Sequence, residues 1–344
     1  MRTILIKGRT KMKSAVPPVM KRSLVSIVAV VALGIAIAGC GSDSSSGVSD
    51  ESVAPPQSSP SMSAQIVTTN AILGAIIREV VGDSAVSVII PNGKDPHDYE
   101  PSAQDVAELM DADVIVETGL AYDVGLDKTI DSAREEGVRI FTVSDHVTLK
   151  DGDGELIADH AEEDHDAHDD HSEEGSDPHF LSDPETMKQM VPALIEVLEE
   201  VTGADLSGEE TALIQMFEVT HADVLSTMSS LGDTPCRLVT GHKSMRYFAD
   251  RYQCEVVGAI IPGASSTAEA TAGQMADLKE KAEESGVRAI FVDEGTPSKA
   301  AEQIASEIGV GVYQLASHTV PDEGGYNAYV VSLASVIVEG LTSE

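Results

Sequence analysis

Apolar residues recur along the chain in short, strand-like runs that alternate with longer helical stretches. In the first half, these runs occupy residues 65–68, 86–90, 114–118 and 139–143. In the second half, they occupy residues 237–240, 255–260, 289–292 and 311–315. Because strands that alternate with helices form parallel sheets, the pattern predicts an α/β fold of two doubly wound lobes, each with four strands.

Helical periodicity and end signals place helices between these strands, at residues 71–81, 102–110, 271–285 and 298–308. Most of them begin after Ser, Thr or Pro and end before Gly. Two further helical segments, 184–201 and 207–231, separate the halves. Apolar residues at helical spacing run through the second of them, which predicts a long, rigid helix of about 37 Å that joins the lobes. We therefore expect a small closure between the lobes.

The N-terminal residues have the order of a secretory signal. Residues 1–23 carry seven Lys/Arg and no acid, and an apolar run follows at 24–38. That run is too short to span a bilayer comfortably. It ends in Ile-Ala-Gly-Cys, which resembles a bacterial lipobox and implies cleavage before Cys40 and acylation of its thiol. The alternative is an uncleaved signal anchor.

These features divide the chain into five parts. A signal peptide covers residues 1–39, and a disordered tether rich in Ser, Asp and Pro covers 40–63. The N-terminal lobe covers 64–205, the linking helix 206–232 and the C-terminal lobe 233–344. Acylated Cys40 would hold the protein at the outer face of the cell membrane.

The formal net charge is −36 at pH 7, and it becomes more negative when the basic residues 1–39 are removed. Such a surface excludes binding to nucleic acid and to anionic lipid, and it draws cations at low ionic strength. After Cys40 only Cys236 and Cys254 remain, each just before a β-branched run. In an oxidising compartment this arrangement predicts a disulfide, with two buried thiols as the alternative.

The triplet Asp-Pro-His occurs twice and places His97 and His179 on stiff turns, since proline restricts its own φ and the residue before it. Histidine is a common metal ligand, although exposed turn histidines are the alternative. Two more histidines, His242 and His318, follow predicted strands of the second half. Because ligands of open α/β sheets lie beyond the carboxyl ends of the strands, these four histidines predict a metal site in the cleft between the lobes.

Five sequence motifs carry a family resemblance that spans residues 64–344. They are PNGKDPHDYEPSAQDV at 91–106, DPHFLSDP at 177–184, GHKSMRYFADRY at 241–252, the IFVDE strand, and IVEGL at 337–341. The chain resembles the zinc/manganese solute-binding proteins of bacterial ABC importers. The resemblance implies a two-lobed protein, expected to be a monomer, that delivers a metal ion to a permease and its ATPase.

The resemblance also implies a ligand set. The family's ligands fall on His97, His179 and His242, and its fourth ligand, usually a carboxylate, falls on His318. Lys243 departs from the family pattern too, because an acid often follows the third histidine. Four imidazoles suit tetrahedral Zn²⁺ and disfavour Mn²⁺. The alternative fourth ligand is Asp322 or Glu323.

A second, different metal signal lies in the acidic segment 151–177, just before the second predicted ligand. It contains His160, His165, His168 and His171. Histidines at this density can form weak, exchangeable zinc sites, and similar loops occur in zinc-specific members of the family. We interpret the segment as a collector of zinc, with a merely solvated acidic loop as the alternative.

The function predicted from the sequence is extracytoplasmic binding of Zn²⁺ and its delivery to an ABC permease. Because the ligands must be unprotonated, affinity is expected to fall steeply below about pH 6. A manganese importer component is one alternative, and a surface adhesin or zinc-storage lipoprotein is another. A zinc hydrolase is disfavoured, because the sequence has no HExxH or nucleophile-elbow motif and four protein ligands would leave no position for water. We predict that the chain is not an enzyme.

Overall fold

The computed structural model describes residues 64–151, 175–261, 270–294 and 299–343. The first lobe contains a parallel sheet with the strand order β2-β1-β3-β4. Its strands are β1 (Ile66–Asn70), β2 (Val86–Ile90), β3 (Val114–Glu117) and β4 (Arg139–Thr142). Its helices are α1 (Ala71–Val81), α2 (Ala103–Met110) and α3 (Asp127–Glu135).

Side chains at the helix starts explain where α1 and α2 begin. Asn70 caps α1 by accepting a hydrogen bond from the backbone N–H of Leu73. Ser102 and Asp105 form a capping box at the start of α2, in which each side chain accepts from the other residue's backbone N–H. These caps satisfy backbone donors that the helices themselves leave free.

Helices α4 (Pro184–Met187), α5 (Val191–Thr202) and α6 (Ser207–Met228) connect the two sheets. The helical segment predicted at 184–201 is confirmed, with a 3₁₀ turn at Lys188–Met190 between its two α-helical parts. Pro192 explains the break: it has no N–H to donate to the carbonyl one turn back. The long helix predicted at 207–231 is confirmed through Met228 and ends in a 3₁₀ turn.

The second lobe repeats the architecture of the first, with the parallel strand order β6-β5-β7-β8. Its strands are β5 (Arg237–Thr240), β6 (Glu255–Ala259), β7 (Ala289–Asp293) and β8 (Gly311–Leu315). Its helices are α7 (Arg246–Arg251), α8 (Ala272–Ser285), α9 (Lys299–Ile308) and α10 (Gly325–Thr342). The predicted class of two parallel-sheet α/β lobes is confirmed.

The core is continuous through the helices that join the lobes. Helix α6 packs against α10, α1 and α5, and it buries Leu213, Phe217 and Val224 on that side while Leu225 stays 46% exposed. A disulfide joins Cys236, just before β5, to Cys254, just before β6. Within the described part of the chain, no helix combines the length and the apolar character that crossing a membrane requires.

Candidate metal centre

Both Asp-Pro-His triplets form the same local turn. In each, the aspartate Oδ1 atom accepts a hydrogen bond from the backbone N–H of the histidine two residues on, at 3.0 Å for Asp95 with His97 and at 3.0 Å for Asp177 with His179. Aspartate side chains favour such turns, and the proline between the two residues restricts the backbone further. His97 and His179 are buried, so the turns hold both imidazole rings inside the protein.

Three of the four predicted ligands meet at one point. The Nε2 atom of His179 lies 3.1 Å from Nε2 of His97 and 3.1 Å from Nε2 of His242. All three side chains are buried, and one ligand atom from each lies within 4.8 Å of the others. Three nitrogens at 2.0–2.1 Å from one tetrahedral Zn²⁺ would lie about 3.3 Å apart. The arrangement therefore fits a single tetrahedral ion.

The end of β5 positions His242. Its carbonyl accepts a hydrogen bond from the hydroxyl of Thr240 at 2.6 Å and another from the backbone N–H of Ser244 at 2.9 Å. Strand β7 runs beside β5, with Thr240 paired to Phe291. Continuing that register by two residues brings His242 opposite Asp293, the last residue of β7.

Carboxylates hold the outer nitrogens of two of the imidazoles. Nδ1 of His179 forms a hydrogen bond of 2.8 Å with Oδ1 of Asp177, and Nδ1 of His242 lies 2.7 Å from Oδ2 of Asp293 as an ion-pair contact without hydrogen-bond alignment. A carboxylate at Nδ1 keeps the proton on that nitrogen and leaves the Nε2 lone pair directed at the centre. The hydroxyl of Ser244 donates to Asp293 at 3.2 Å and helps to hold the carboxylate in place.

Burial and neighbouring charges shift the pKa values in the site. Burial, and then the charges that His179 and His242 would carry, lower the pKa of His97 to about 2. Burial, the largest single influence, would raise the pKa of Asp293, but the imidazoles of His242 and His318 and the other neighbouring groups together outweigh it and the pKa is lowered. Burial would lower the pKa of His242, but the carboxylates of Asp293, Asp95 and Asp177 together outweigh it and the pKa is raised. At neutral pH the site thus contains an ionised Asp293 and a neutral His97.

The fourth predicted ligand, His318, is buried beside the three histidines but does not belong to the group whose ligand atoms lie within 4.8 Å of one another. Its Nδ1 lies 3.3 Å from the hydroxyl of Tyr122, and its Nε2 lies 3.9 Å from a carboxylate oxygen of Asp95. Nε2 has no hydrogen-bond partner among the described residues. Burial, the largest influence, lowers its pKa to about 4. The alternative ligands Asp322 and Glu323 are exposed and lie outside the group.

Two residues of the site were missed by sequence reasoning: Asp293 and Tyr122. The ring of Tyr122 lies edge-on to His97 and His179, with centroid distances of 5.1 and 5.7 Å. Asp293 directly follows the predicted strand 289–292, so the rule that ligands lie beyond strand ends could have identified it. Tyr122 follows Leu120 and Ala121, which both have positive φ, and the sequence gives no signal for such a turn at these residue types.

A buried hydrogen-bond network fixes the loop that carries Tyr122. The carboxylate of Asp123 accepts from the hydroxyl of Thr69 at 2.6 Å and from the backbone N–H of Thr118 at 3.4 Å. Burial raises the pKa of Asp123 to about 6, although these hydrogen bonds favour its ionised form. Because Thr69 and Thr118 lie at the ends of β1 and β3, the network ties the loop directly to the sheet.

Several predicted residues lie outside the described part of the chain. They include the lipidation site Cys40, the signal peptide 1–39, the tether up to residue 63, and the auxiliary histidines His160, His165, His168 and His171.

A family model described as ZnuA, zinc-uptake complex component A, periplasmic, matches residues 66–340. The zinc-binding lipoprotein AdcA of Streptococcus pneumoniae is 28% identical over 257 residues, which cover 71% of this chain and 48% of AdcA. The chain thus spans about half the length of that relative. The manganese-binding lipoprotein MntA of Halalkalibacterium halodurans is 24% identical over 298 residues, which cover 85% of this chain and 88% of MntA.

Among solved structures, the periplasmic zinc-binding protein TroA from Treponema pallidum superposes with a TM-score of 0.66 at 23% identity. The match covers 81% of this chain and 99% of TroA. This likeness supports the fold of two parallel-sheet lobes.

Proposed function

This chain belongs to the ZnuA family of periplasmic zinc-uptake components, and from that premise we propose that it binds Zn²⁺ outside the cytoplasm and delivers it to an ABC-type permease for import. The family consists of solute-binding components of importers. The prediction that the chain is not an enzyme is thereby confirmed.

The observation that most strongly supports this proposal is the close approach of three buried Nε2 atoms. His97, His179 and His242 supply imidazole Nε2 atoms at separations that suit one tetrahedral ion. His318 is the proposed fourth ligand, since its buried Nε2 is close by and has no hydrogen-bond partner among the described residues. A movement of the loop after β8 would bring it to the ion.

Zinc is proposed over manganese on the chemistry of the donors. Imidazole nitrogen suits Zn²⁺, whereas Mn²⁺ prefers carboxylate and water oxygen. The carboxylates of Asp177 and Asp293 contact the outer nitrogens of two histidines, so they orient imidazoles rather than offer oxygen to the ion. Manganese is the second candidate, because one relative is named as a manganese-binding lipoprotein.

The binding step follows from these contacts. Each carboxylate keeps a proton on the Nδ1 atom of its histidine, which directs the Nε2 lone pair at the ion. The ligands come from both lobes, with His97 after β2 and His242 after β5. Separating the lobes would therefore remove part of the coordination shell and release the ion to the permease.

The protein is proposed to act at the outer face of the cell membrane, held by a lipid on Cys40, with the permease and its ATPase as partners. The basic and apolar N-terminal residues and the Cys40 context support the anchor. AdcA and MntA are both named as lipoproteins.

Elemental analysis and metal competition test the function. The purified chain, stripped of metal and dialysed against equal concentrations of Zn²⁺ and Mn²⁺, should retain zinc in preference to manganese. His179→Ala should lose the one tightly bound zinc ion, since the imidazole of His179 contacts those of both His97 and His242. Equal retention of zinc by wild type and variant would contradict the proposed site. A role in storage or adhesion alone predicts that deleting the gene leaves zinc uptake by the cells unchanged.

A further inference from the structure

The loop that carries His97 is hydrogen-bonded to the loop that carries His318. Residues 91–94 form a β-turn, in which the N–H of Lys94 donates to the carbonyl of Pro91 at 3.1 Å. Gly93 has a φ of 77°, which glycine adopts without steric cost at this turn position. Its N–H points out of the turn and donates to the carbonyl of His318 at 2.9 Å.

Asn92 extends this contact with its side chain. The Nδ2 atom donates to the carbonyl of Val320 at 2.7 Å, and Oδ1 accepts from the N–H of Val320 at 2.7 Å. The amide thus pairs with both backbone groups of one residue, as the main chain of a neighbouring strand would. An amide side chain is required for this, because it carries a donor and an acceptor side by side.

The location of this pair, shared with the hydrogen bond from Gly93 to His318, distinguishes it from ion pairs elsewhere between the lobes. Ion pairs such as Lys150 with Asp250 also join the two lobes, but the Asn92 pair joins loops that carry proposed ligands. Val320 lies two residues after His318, and Asn92 lies in the turn that leads to His97. Any separation of those two loops has to break the hydrogen bonds between Asn92 and Val320.

The contact is also suited to repeated opening. Asn92 is exposed, so water can replace both of its hydrogen bonds when the loops part, and no polar group is left unsatisfied. Asn92 then adds to the cost of opening only the modest net value of its two partly buried hydrogen bonds. Such a contact slows separation of the loops without preventing it.

Building on the proposed function, we propose that Asn92 is a positioning residue that latches the two lobes together and thereby slows release of the bound metal. It acts through the loops of His97 and His318. Because asparagine is uncharged, the effect should persist at high ionic strength, where exposed ion pairs are screened.

Stopped-flow transfer of Zn²⁺ to an excess of chelator tests the latch. The variants are Asn92→Leu, which is close to asparagine in size but cannot form either bond, and Asn92→Ala. Both should release zinc about tenfold faster than wild type, the effect of losing about 1.4 kcal/mol. The association rate should change little. Gln104→Ala, which removes a neutral, exposed amide from α2, is the matched control and should release zinc at the wild-type rate.

Amide hydrogen exchange on the metal-free protein provides a second readout that does not depend on zinc. The N–H of Val320 should exchange about tenfold faster in Asn92→Leu than in wild type, since Asn92 is its acceptor. Unchanged exchange would overturn the latch. If the wild-type chain binds no zinc, the proposed function is refuted. If both Asn92 variants bind zinc tightly and release it at the wild-type rate, only the latch is overturned.

Discussion

The Nδ1 atom of His242 lies 2.7 Å from the Oδ2 atom of Asp293, and both side chains are almost completely buried. The pair joins the ends of two neighbouring parallel strands, β5 and β7. Burial is the largest single influence and raises the pKa of Asp293, but His242 and His318 and the other neighbouring groups together outweigh it, so the pKa is lowered and the carboxylate is ionised. The carboxylate therefore sets both the orientation and the basicity of one proposed ligand.

Replacing Asp293 tests this relationship. Asp293→Asn keeps the shape of the side chain but removes the charge, so His242 is oriented less firmly and is less basic. Affinity for Zn²⁺, measured by competition with a chromophoric chelator, should fall about 10–100-fold. Asp277→Asn removes an exposed carboxylate from α8 and should leave the affinity unchanged. Equal dissociation constants for Asp293→Asn and wild type would show that the carboxylate does not act on the ligand.

His318→Ala tests the proposed fourth ligand. Removing a residue that only supports a ligand typically weakens metal binding by about 10–100-fold. Removing a ligand itself should therefore weaken zinc binding by at least about tenfold. The same competition titration measures it. The double variant Asp322→Asn/Glu323→Gln, which keeps His318, is the control for those two side chains. If His318→Ala binds zinc as tightly as wild type, His318 is not a ligand.

The affinity should fall as the pH falls, but less steeply than the sequence alone predicted, because burial keeps one of the three imidazoles, His97, neutral. The raised pKa of His242 means that this ring takes up a proton as the pH drops through that value, and zinc has to displace it. His97 stays neutral, because its pKa is lowered to about 2. One displaced proton raises the dissociation constant by about tenfold per pH unit. Titrations between pH 5 and 8 measure the slope, and a thousandfold change per unit would mean that all three rings are protonated together.

Deleting residues 159–174 tests the predicted collector role of the His-rich segment. The deletion removes all four auxiliary histidines but none of the three that meet in the structure. Weak additional equivalents of bound zinc should disappear while the tight equivalent keeps its affinity. Isothermal titration calorimetry separates the two classes. An unchanged total stoichiometry would rule out zinc binding by the segment.

The strands were predictable because their side chains are buried in parallel sheets, which makes each a nearly continuous apolar run. The elements that were missed gave weak signals. Helix α3 buries only Ile130 and Ala133. Its sequence is therefore mostly polar and shows little apolar periodicity that would predict a helix. Helix α10 begins after Gly324 without a side-chain cap, so it has no start signal.

The histidines of the site were predictable because turns and strand ends are visible in the sequence. The role of Asp293 depends on which strand lies beside β5, and strand order is a property of the folded sheet. The latch between Asn92 and Val320 likewise joins positions far apart in sequence. Contacts of this kind follow from tertiary packing and leave no local pattern.

Anomalous diffraction at the zinc absorption edge, from crystals of the zinc-loaded protein, tests the central claim most directly. We expect one strong peak bonded to the Nε2 atoms of His97, His179 and His242, at about 2.0–2.1 Å from each. A zinc peak elsewhere, with these three nitrogens unbound, would contradict it.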